Sequence, residues 1–313
     1  MTTRSLPYTS TEGPARTAPA VAGPEGAPGW PSEAEVLGRA GEENFKVASR
    51  LLPGAARRHL MAFYGYARLV DQIGDAYPGD RMAALSWIEE ETTRALADPE
   101  ATDVPALVAE ATRSVRSLEL DPAPLYALIA ANRQDQTVTS YETFEDLLRY
   151  CALSANPVGQ LVLGAFGVAT PDRIGFSNQI CSGLQLVEHW QDVAEDAATG
   201  RVYLPREDMR RFGVDRSDLL APPPAPPELR GLMIYQVARA RQLLQDGSPL
   251  LKLLSGRSRW AVAGFWAGGL AALDGIEAQA FDPLKGAPPR PATRVATHLM
   301  AGLSRFGSTR EAA

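Results

Sequence analysis

Apolar side chains recur along this chain every three or four residues and almost nowhere every second one. After Ala34, Leu51, Leu60, Met61, Tyr64, Leu69, Val70 and Ile73 fall at helical intervals, broken near Pro53. The same spacing runs through 82–97, 104–118, 124–134, 143–150, 156–169 and 174–198, then 228–254 and 258–280. Residues three and four apart share one helix face, so this periodicity predicts amphipathic helices. No stretch alternates with period two for long enough to require a sheet. The expected fold class is all-α, with the helices gathered in a single bundle. Residues 1–33 are rich in Pro, Gly, Ala, Ser and Thr, lack the large apolar residues a core needs, and are expected to be disordered. Residues 34–285 are the expected folded domain, and 286–313 read as a Pro-rich, then basic, tail. The segment Ala221-Pro-Pro-Pro-Ala-Pro-Pro227 reads as a stiff connector between helices.

Two acidic pairs interrupt the apolar pattern: Asp71 with Asp75, and Asp192 with Asp196. An i, i+4 spacing puts both carboxylates of a pair on one face, where like charges repel. A chain that does this twice among apolar neighbours has reason to place a cation there. Hard carboxylate oxygens suit Mg²⁺, which keeps waters and recruits phosphate oxygens as further ligands. The pairs therefore point to a helical enzyme that grips a diphosphate through magnesium. Taken singly, each pair also reads as a solvated helix face.

The surroundings sharpen both. Tyr64, Arg68, Asp71 and Asp75 form one stripe. Arg68 is placed to pair with a carboxylate one turn away or to face a phosphate, for which its planar fork is suited. In the second segment Gln185, Glu188, Asp192 and Asp196 stack on adjoining turns, with Gln191 and Glu195 beside them. Leu184, Leu186, Val187, Trp190 and Val193 leave little room for wholesale exposure, and so dense a polar stripe is costly to bury without a ligand. Gly200 is a reasonable helix stop, and Arg201-Val-Tyr203-Leu-Pro205 follows as a structured loop. Between the motifs lie Asn132-Arg133-Gln-Asp135-Gln136, a capping-box-like Thr143…Asp146, and Tyr150-Cys followed by Asn156-Pro157-Val-Gly159. Gly159, Gly164, Gly264, Gly268 and Gly269 admit two readings, close helix packing or cavity space.

Composition excludes several classes. A net charge of −6 and no basic stripe argue against nucleic-acid binding. Two cysteines, Cys151 and Cys181, form neither a disulfide framework nor a zinc signature, so a reducing cytoplasmic compartment is expected. His59, His189 and His298 are scattered and suggest neither a histidine metal site nor a Ser-His-Asp triad. The N-terminus lacks the apolar run of a signal peptide, and the most apolar stretch, Trp260 to Leu273, is too short to span a bilayer.

Assembled in order, Tyr64-x-x-x-Arg68-x-x-Asp71-x-x-x-Asp75, Tyr141-x-Thr-Phe, Tyr150-Cys, Val158-Gly159 and Gln185…Asp192-x-x-Glu-Asp196…Gly200-Arg201-Val-Tyr203-Leu-Pro205 resemble the squalene/phytoene synthase family over roughly residues 40–285. The resemblance implies a single isoprenoid-synthase bundle with a central active-site cavity, where facing aspartates hold Mg²⁺ and a prenyl diphosphate. Glu43-Asn44-Phe45, the run from Arg133, Ser154-Ala-Asn-Pro-Val-Gly159 and Trp190-Gln191-Asp192 resemble its bacterial hydroxysqualene synthase branch. Three positions depart from common family patterns: Gln191 stands where Arg is usual in the condensing enzymes, Glu188 where Asn is frequent, and Gln72 where a second Asp is frequent.

By resemblance, Tyr64, Arg68, Asp71, Asp75, Gln185, Asp192 and Asp196 are catalytic, and Asp71, Asp75, Asp192 and Asp196 are the metal ligands. Phe45, Arg68, Arg133, Gln185, Glu188, Arg201 and Tyr203 would contact the substrate. The implied reaction is ionisation of presqualene diphosphate and capture of the allylic cation by water, a carbon–oxygen lyase chemistry needing no reductant. Phe45, Tyr64, Phe166, Phe265 and Trp266 are candidate aromatic faces for the cation. A sister activity, head-to-head condensation of two prenyl diphosphates, is the first alternative. A non-catalytic family member acting in assembly is the second, and a helical scaffold with exposed acidic faces is the third. The product of such a reaction partitions into lipid, so peripheral contact at the inner membrane face, through the 258–280 surface, and contacts with pathway enzymes are further expectations.

Overall fold

The computed structural model describes residues 26–38, 54–289 and 291–305. Among these, regular structure is helical apart from one isolated bridge, Ser140 to Val202. In chain order the helices are α1 (Glu33–Gly38), α2 (Gly54–Ala76), α3 (Arg81–Ala97), α4 (Ala106–Ser117), α5 (Ala123–Asp135), α6 (Phe144–Ser154) and α7 (Asn156–Ala165). There follow α8 (Pro171–Gln191), α9 (Val193–Thr199), α10 (Arg206–Phe212), α11 (Pro227–Gly247), α12 (Leu250–Leu253), α13 (Gly256–Ala278) and α14 (Ala292–Arg305). No described helix is long and apolar enough to cross a membrane.

The all-α expectation holds, and local chemistry explains many boundaries. The Asp80 carboxylate accepts the Ala83 N–H at 2.9 Å and starts α3. At α6 the Thr143 hydroxyl accepts the Asp146 N–H at 3.1 Å while Asp146 accepts the Thr143 N–H at 2.9 Å, so aspartate closes the capping box in place of the usual glutamate. Two expected helices are divided. The 228–254 stretch breaks at Ser248-Pro249, where proline has no N–H to continue the ladder. The 174–198 stretch breaks at Asp192, the junction of α8 and α9.

Both ends differ from the sequence reading. Trp30, in the segment expected to be disordered, stands edge-on to Tyr77 and Trp87 with ring centroids 5.6 and 5.5 Å away. Such edge-to-face pairs stabilise by about 0.5–1.5 kcal/mol beyond burial and help to seat Trp30 on the bundle. At the other end, α14 lies along α13: the Arg259 guanidinium donates to the Leu303 carbonyl at 2.8 Å, and His298 meets Asp274 at 2.7 Å.

Two apolar clusters form the core. One joins α2 to α5 through Leu60, Tyr66, Ile73, Ile88, Leu125 and Ile129. The other joins α6, α8, α11 and α13 through Leu147, Leu186, Trp190, Leu232, Leu244 and Leu273. Each fully buried Leu or Ile contributes about 1.5–3 kcal/mol. Helix α7 packs against both α2 and α8. It thereby fixes the distance between the helix carrying the first acidic pair and the helix leading into the second.

Candidate active site

On α2 the buried face is Leu60, Phe63, Tyr66, Leu69, Val70 and Ile73. Tyr64, Arg68 and Asp71 are half-buried on the other side, and Asp75 is exposed near the C-terminal end. Asn132 on α5 donates to Asp71 at 3.1 Å, and Gln136 donates to the Gly74 carbonyl at 2.9 Å. A Cβ at residue 74 would run into the Asn132 side-chain amide, so glycine here leaves that amide the room to reach Asp71. Burial pushes Asp71 up to about 6; the Asn132 hydrogen bond and Arg68 oppose this, while Asp75 and Asp135 add to it. A cavity of about 460 Å³ opens beside Arg68, Asp71, Gln72 and Asp75, with Tyr77, Gly29, Pro31 and Glu35 on its other walls.

The second pair sits at the break between α8 and α9. Asp192 keeps its N–H on the Glu188 carbonyl at 3.1 Å and its own carbonyl accepts the Asp196 N–H at 2.8 Å. The turn therefore survives the break, and Asp192 and Asp196 remain one turn apart. Burial, with the neighbouring Asp192, raises Asp196 to about 7, against the opposing pull of Arg201. Gly200 ends α9 with φ +96°, a left-handed conformation that glycine adopts without strain. The loop beyond is clamped to the 139–142 strand of chain: Val202 N–H donates to Thr139 O at 2.8 Å and Arg206 N–H to Tyr141 O at 3.0 Å.

That clamp aims Arg201. Its guanidinium lies 3.5 Å from Asp75 and in the field of Asp135 and Asp196. One cation thus faces carboxylates from both halves of the chain. Tyr203 stacks on the His189 ring at 3.6 Å, with Tyr150 and Tyr141 beside it. Gln185 contacts the same imidazole at 3.2 Å. Burial drives His189 down to about 3, so the ring is neutral across the working pH range.

Not every expected residue joins this group. Arg133 is one position round the helix from Asn132 and points to α3, where it pairs with Glu89 at 2.6 Å and Ser86 at 3.0 Å. Glu188 is exposed. Phe45 lies outside the described residues. Phe166 packs on the N-terminal core and Trp266 donates to the Leu244 carbonyl within the C-terminal one, so both serve packing.

Sequence reasoning passed over Asp135 and Tyr150 as site residues. The Tyr150 hydroxyl donates to Asp135 Oδ2 at 2.8 Å, and burial raises Asp135 to about 6. Their only signal in sequence was that both stand in motif segments.

Among the described residues no three acidic, histidine or cysteine side chains already form a metal cage. The donor set nonetheless fits a hard divalent cation. Asp71 and Asp196 are carboxylates held above their ordinary range by burial and by each other's kind, the condition a cation relieves.

Residues 39–298 match the squalene/phytoene synthase family model. The chain is 34% identical over 214 residues to the hydroxysqualene synthase of Rhodopseudomonas palustris, spanning 67% of this chain and 70% of that protein. It is 29% identical over 237 residues to the 15-cis-phytoene synthase of Synechocystis, spanning 70% of this chain and 68% of that one. The crystal structure of squalene synthase HpnC from Alicyclobacillus acidocaldarius superposes with a TM-score of 0.74 at 39% identity, covering 79% of this chain and 92% of that one. The bundle is thus of the isoprenoid-synthase type. The chain belongs to the squalene/phytoene synthase family, the enzymes of head-to-head prenyl diphosphate chemistry.

Proposed function

We propose that this protein converts presqualene diphosphate to hydroxysqualene in a Mg²⁺-dependent reaction, releasing diphosphate. The observation that carries the reading is the meeting of Asp75, Asp135 and Asp196 around Arg201, beside the Arg68–Asp71 cavity. Opposed carboxylates with cationic guanidinium groups among them are what a metal–diphosphate needs. The name of the Rhodopseudomonas relative supports the water-capturing branch.

In this reading Asp71, Asp75, Asp192 and Asp196 would hold Mg²⁺, which when bound offsets the charge growing on the leaving diphosphate. Asn132 fixes the orientation of Asp71. Arg201, released from Asp75, and Arg68 donate charge-assisted hydrogen bonds to diphosphate oxygens. Tyr64 stands on the same face of α2 as these groups and offers an aromatic face to the cation. Gln185 and Tyr203 bracket the neutral His189, which keeps this wall of the site free of a competing positive charge.

The test is incubation of purified protein with Mg²⁺ and presqualene diphosphate, without NADPH, followed by mass spectrometry of the extracted lipid. We expect hydroxysqualene, with Asp192→Ala lowering its formation by about 10²-fold or more. Turnover of farnesyl diphosphate to presqualene diphosphate, with no alcohol formed, would move the protein to the condensing branch. That second reading is favoured by the phytoene synthase match and opposed by Gln191, buried where the condensing enzymes usually carry Arg.

A further inference from the structure

The cavity beside the first acidic pair has a second wall, and that wall comes from the N-terminal segment. Arg68, Asp71 and Asp75 line the cavity from α2, while Gly29, Pro31 and Glu35 line it from the stretch that runs into α1. Segment 29–35 is held along its length. Trp30 stands edge-on to Tyr77 and Trp87. Gly29 has φ +82°, and a Cβ there would stand 2.6 Å from the Pro78 ring. At the start of α1, Glu35 Oε2 accepts the Ser32 N–H at 2.9 Å and the Ser32 hydroxyl at 2.7 Å, while Ser32 Oγ accepts the Glu35 N–H at 3.3 Å. Beyond it, Val36 is fully buried, and the Leu37 side chain lies 3.3 Å from the Cβ position of Gly65 on α2.

These fixings bear directly on the cavity. Trp30 stands between Gly29 and Pro31, and its ring partner Tyr77 is itself a lining residue. Concave sites hold a ligand by burying most of its surface. Without segment 29–35, a diphosphate against Arg68 and Asp71 would be open to water on the side away from α2. Water weakens charge interactions through its high dielectric constant, so the wall strengthens each one made inside. The wall also adds Glu35 to a compartment already lined by Asp71 and Asp75. That charge disfavours a bare diphosphate and admits one that carries a divalent cation.

We propose that segment 29–35, seated by Trp30, is the outer wall of the diphosphate compartment. Affinity for the metal–diphosphate then depends on a positioning residue, Trp30, that touches neither metal nor phosphate and acts by holding Gly29, Pro31 and the Tyr77 ring in place. This rests on the reading above only in placing a diphosphate at this cavity, and it is indifferent to whether water capture or condensation follows.

The test is calorimetric titration of the purified full-length protein with inorganic diphosphate in the presence of Mg²⁺. Wild type is compared with Trp30→Ala, Trp30→Phe and Gly29→Ala. Calorimetry separates two effects: loss of folded protein lowers the number of sites titrated, whereas loss of the wall weakens Kd at the sites that remain. We expect Kd to weaken about tenfold in Trp30→Ala, and likewise in Gly29→Ala, whose methyl group would meet Pro78 at a left-handed φ. Trp30→Phe keeps an aromatic edge for Tyr77 and should stay within about threefold of wild type. KM for the prenyl diphosphate substrate should rise with Kd in the same variants. Kd within about twofold of wild type in both Trp30→Ala and Gly29→Ala overturns the wall. So does a fall in site number with Kd unchanged, which would leave Trp30 a purely structural role. Wild-type protein that binds no diphosphate with Mg²⁺ would instead overturn the reading of the cavity, a result obtained before any variant is compared.

Discussion

Asp196 carries the clearest conflict between stability and use. Its carboxyl is half-buried beside Asp192 and holds its proton up to about pH 7. An unfolded chain releases that proton near the ordinary value of 3.8. Between the two values the folded protein binds more protons than the unfolded one, so stability falls as pH rises through about 4 to 7 and stays lower above. The burden is absent below about pH 4, where both states are protonated. Asp196→Asn, which has no charge to bury, should therefore melt higher than wild type at pH 8 without metal, by about 2 °C or more. Near pH 4 the two should converge, and the variant should be inactive at both. Equal melting at pH 8 would show that Asp196 bears no such charge penalty. The acidic pairs were legible in sequence because an i, i+4 relation is local. The Asp135–Tyr150 pair was not, because its members stand on α5 and α6 and only the packing of those helices joins them. Arg133 shows the limit from the other side: adjacent to Asn132, it was expected at the substrate, yet one step round the helix turns it to Glu89.

Glycines decide how closely the elements approach, and here sequence offered two readings that the packing resolves position by position. A Cβ at Gly159 would meet Cys181 Sγ and Ser177 Oγ at 2.5 Å, which seats α7 on α8. At Gly269 it would meet Leu184 and Leu244. Gly264 and Gly268, one turn apart on α13, have no described atom within 4 Å of the Cβ position. Gly247 was passed over in sequence, yet its Cβ would stand 2.7 Å from the Phe176 carbonyl oxygen and 2.9 Å from the Ile180 nitrogen. Backbone does not yield as a flexible side chain does, so Gly247→Ala should cost about 1–3 kcal/mol by forcing α11 off α8. Gly264→Ala and Gly268→Ala should be neutral or stabilising by up to about 1 kcal/mol, the helix propensity that alanine adds. Thermal unfolding of the three variants checks the contrast. A Gly247→Ala protein as stable as wild type would refute the close contact. The long helices from α2 to α13 were legible because periodicity is intrinsic to each segment, whereas the seven-residue α10 was too short to show a period and α14 fell in the stretch read as a tail. The break at Asp192 was not legible, because nothing in the apolar spacing of 174–198 changes there.

At the scale of the molecule, the two cores assign the two acidic pairs to different halves: α2 belongs to the first cluster and α8 to the second. The halves meet through α7, through the packing of α5 on α6 with its Tyr150–Asp135 hydrogen bond, and through the Arg201–Asp75 contact, whose Asp75 is exposed. This arrangement bears on how the site takes up its ligands. No preassembled cage exists among the described residues, so a metal ion alone finds at most part of a coordination shell from each half. Diphosphate alone would meet Arg68 and Arg201 but also the negative charge of the aspartates beside them. Together the two supply each other's missing partners, because Mg²⁺ takes phosphate oxygens as ligands. A ligand that binds the folded state raises its stability by RT ln(1 + [L]/Kd), which grows with the ratio of ligand concentration to Kd. Melting curves with 5 mM-scale Mg²⁺, inorganic diphosphate, or both should therefore show a shift for the pair that exceeds the sum of the separate shifts, by about 3 °C or more at saturation. Asp75→Ala and Asp192→Ala should each abolish that excess, although they remove carboxylates from opposite halves. Additive shifts in wild type, or an excess that survives either substitution, would show that the two pairs do not act on one ligand.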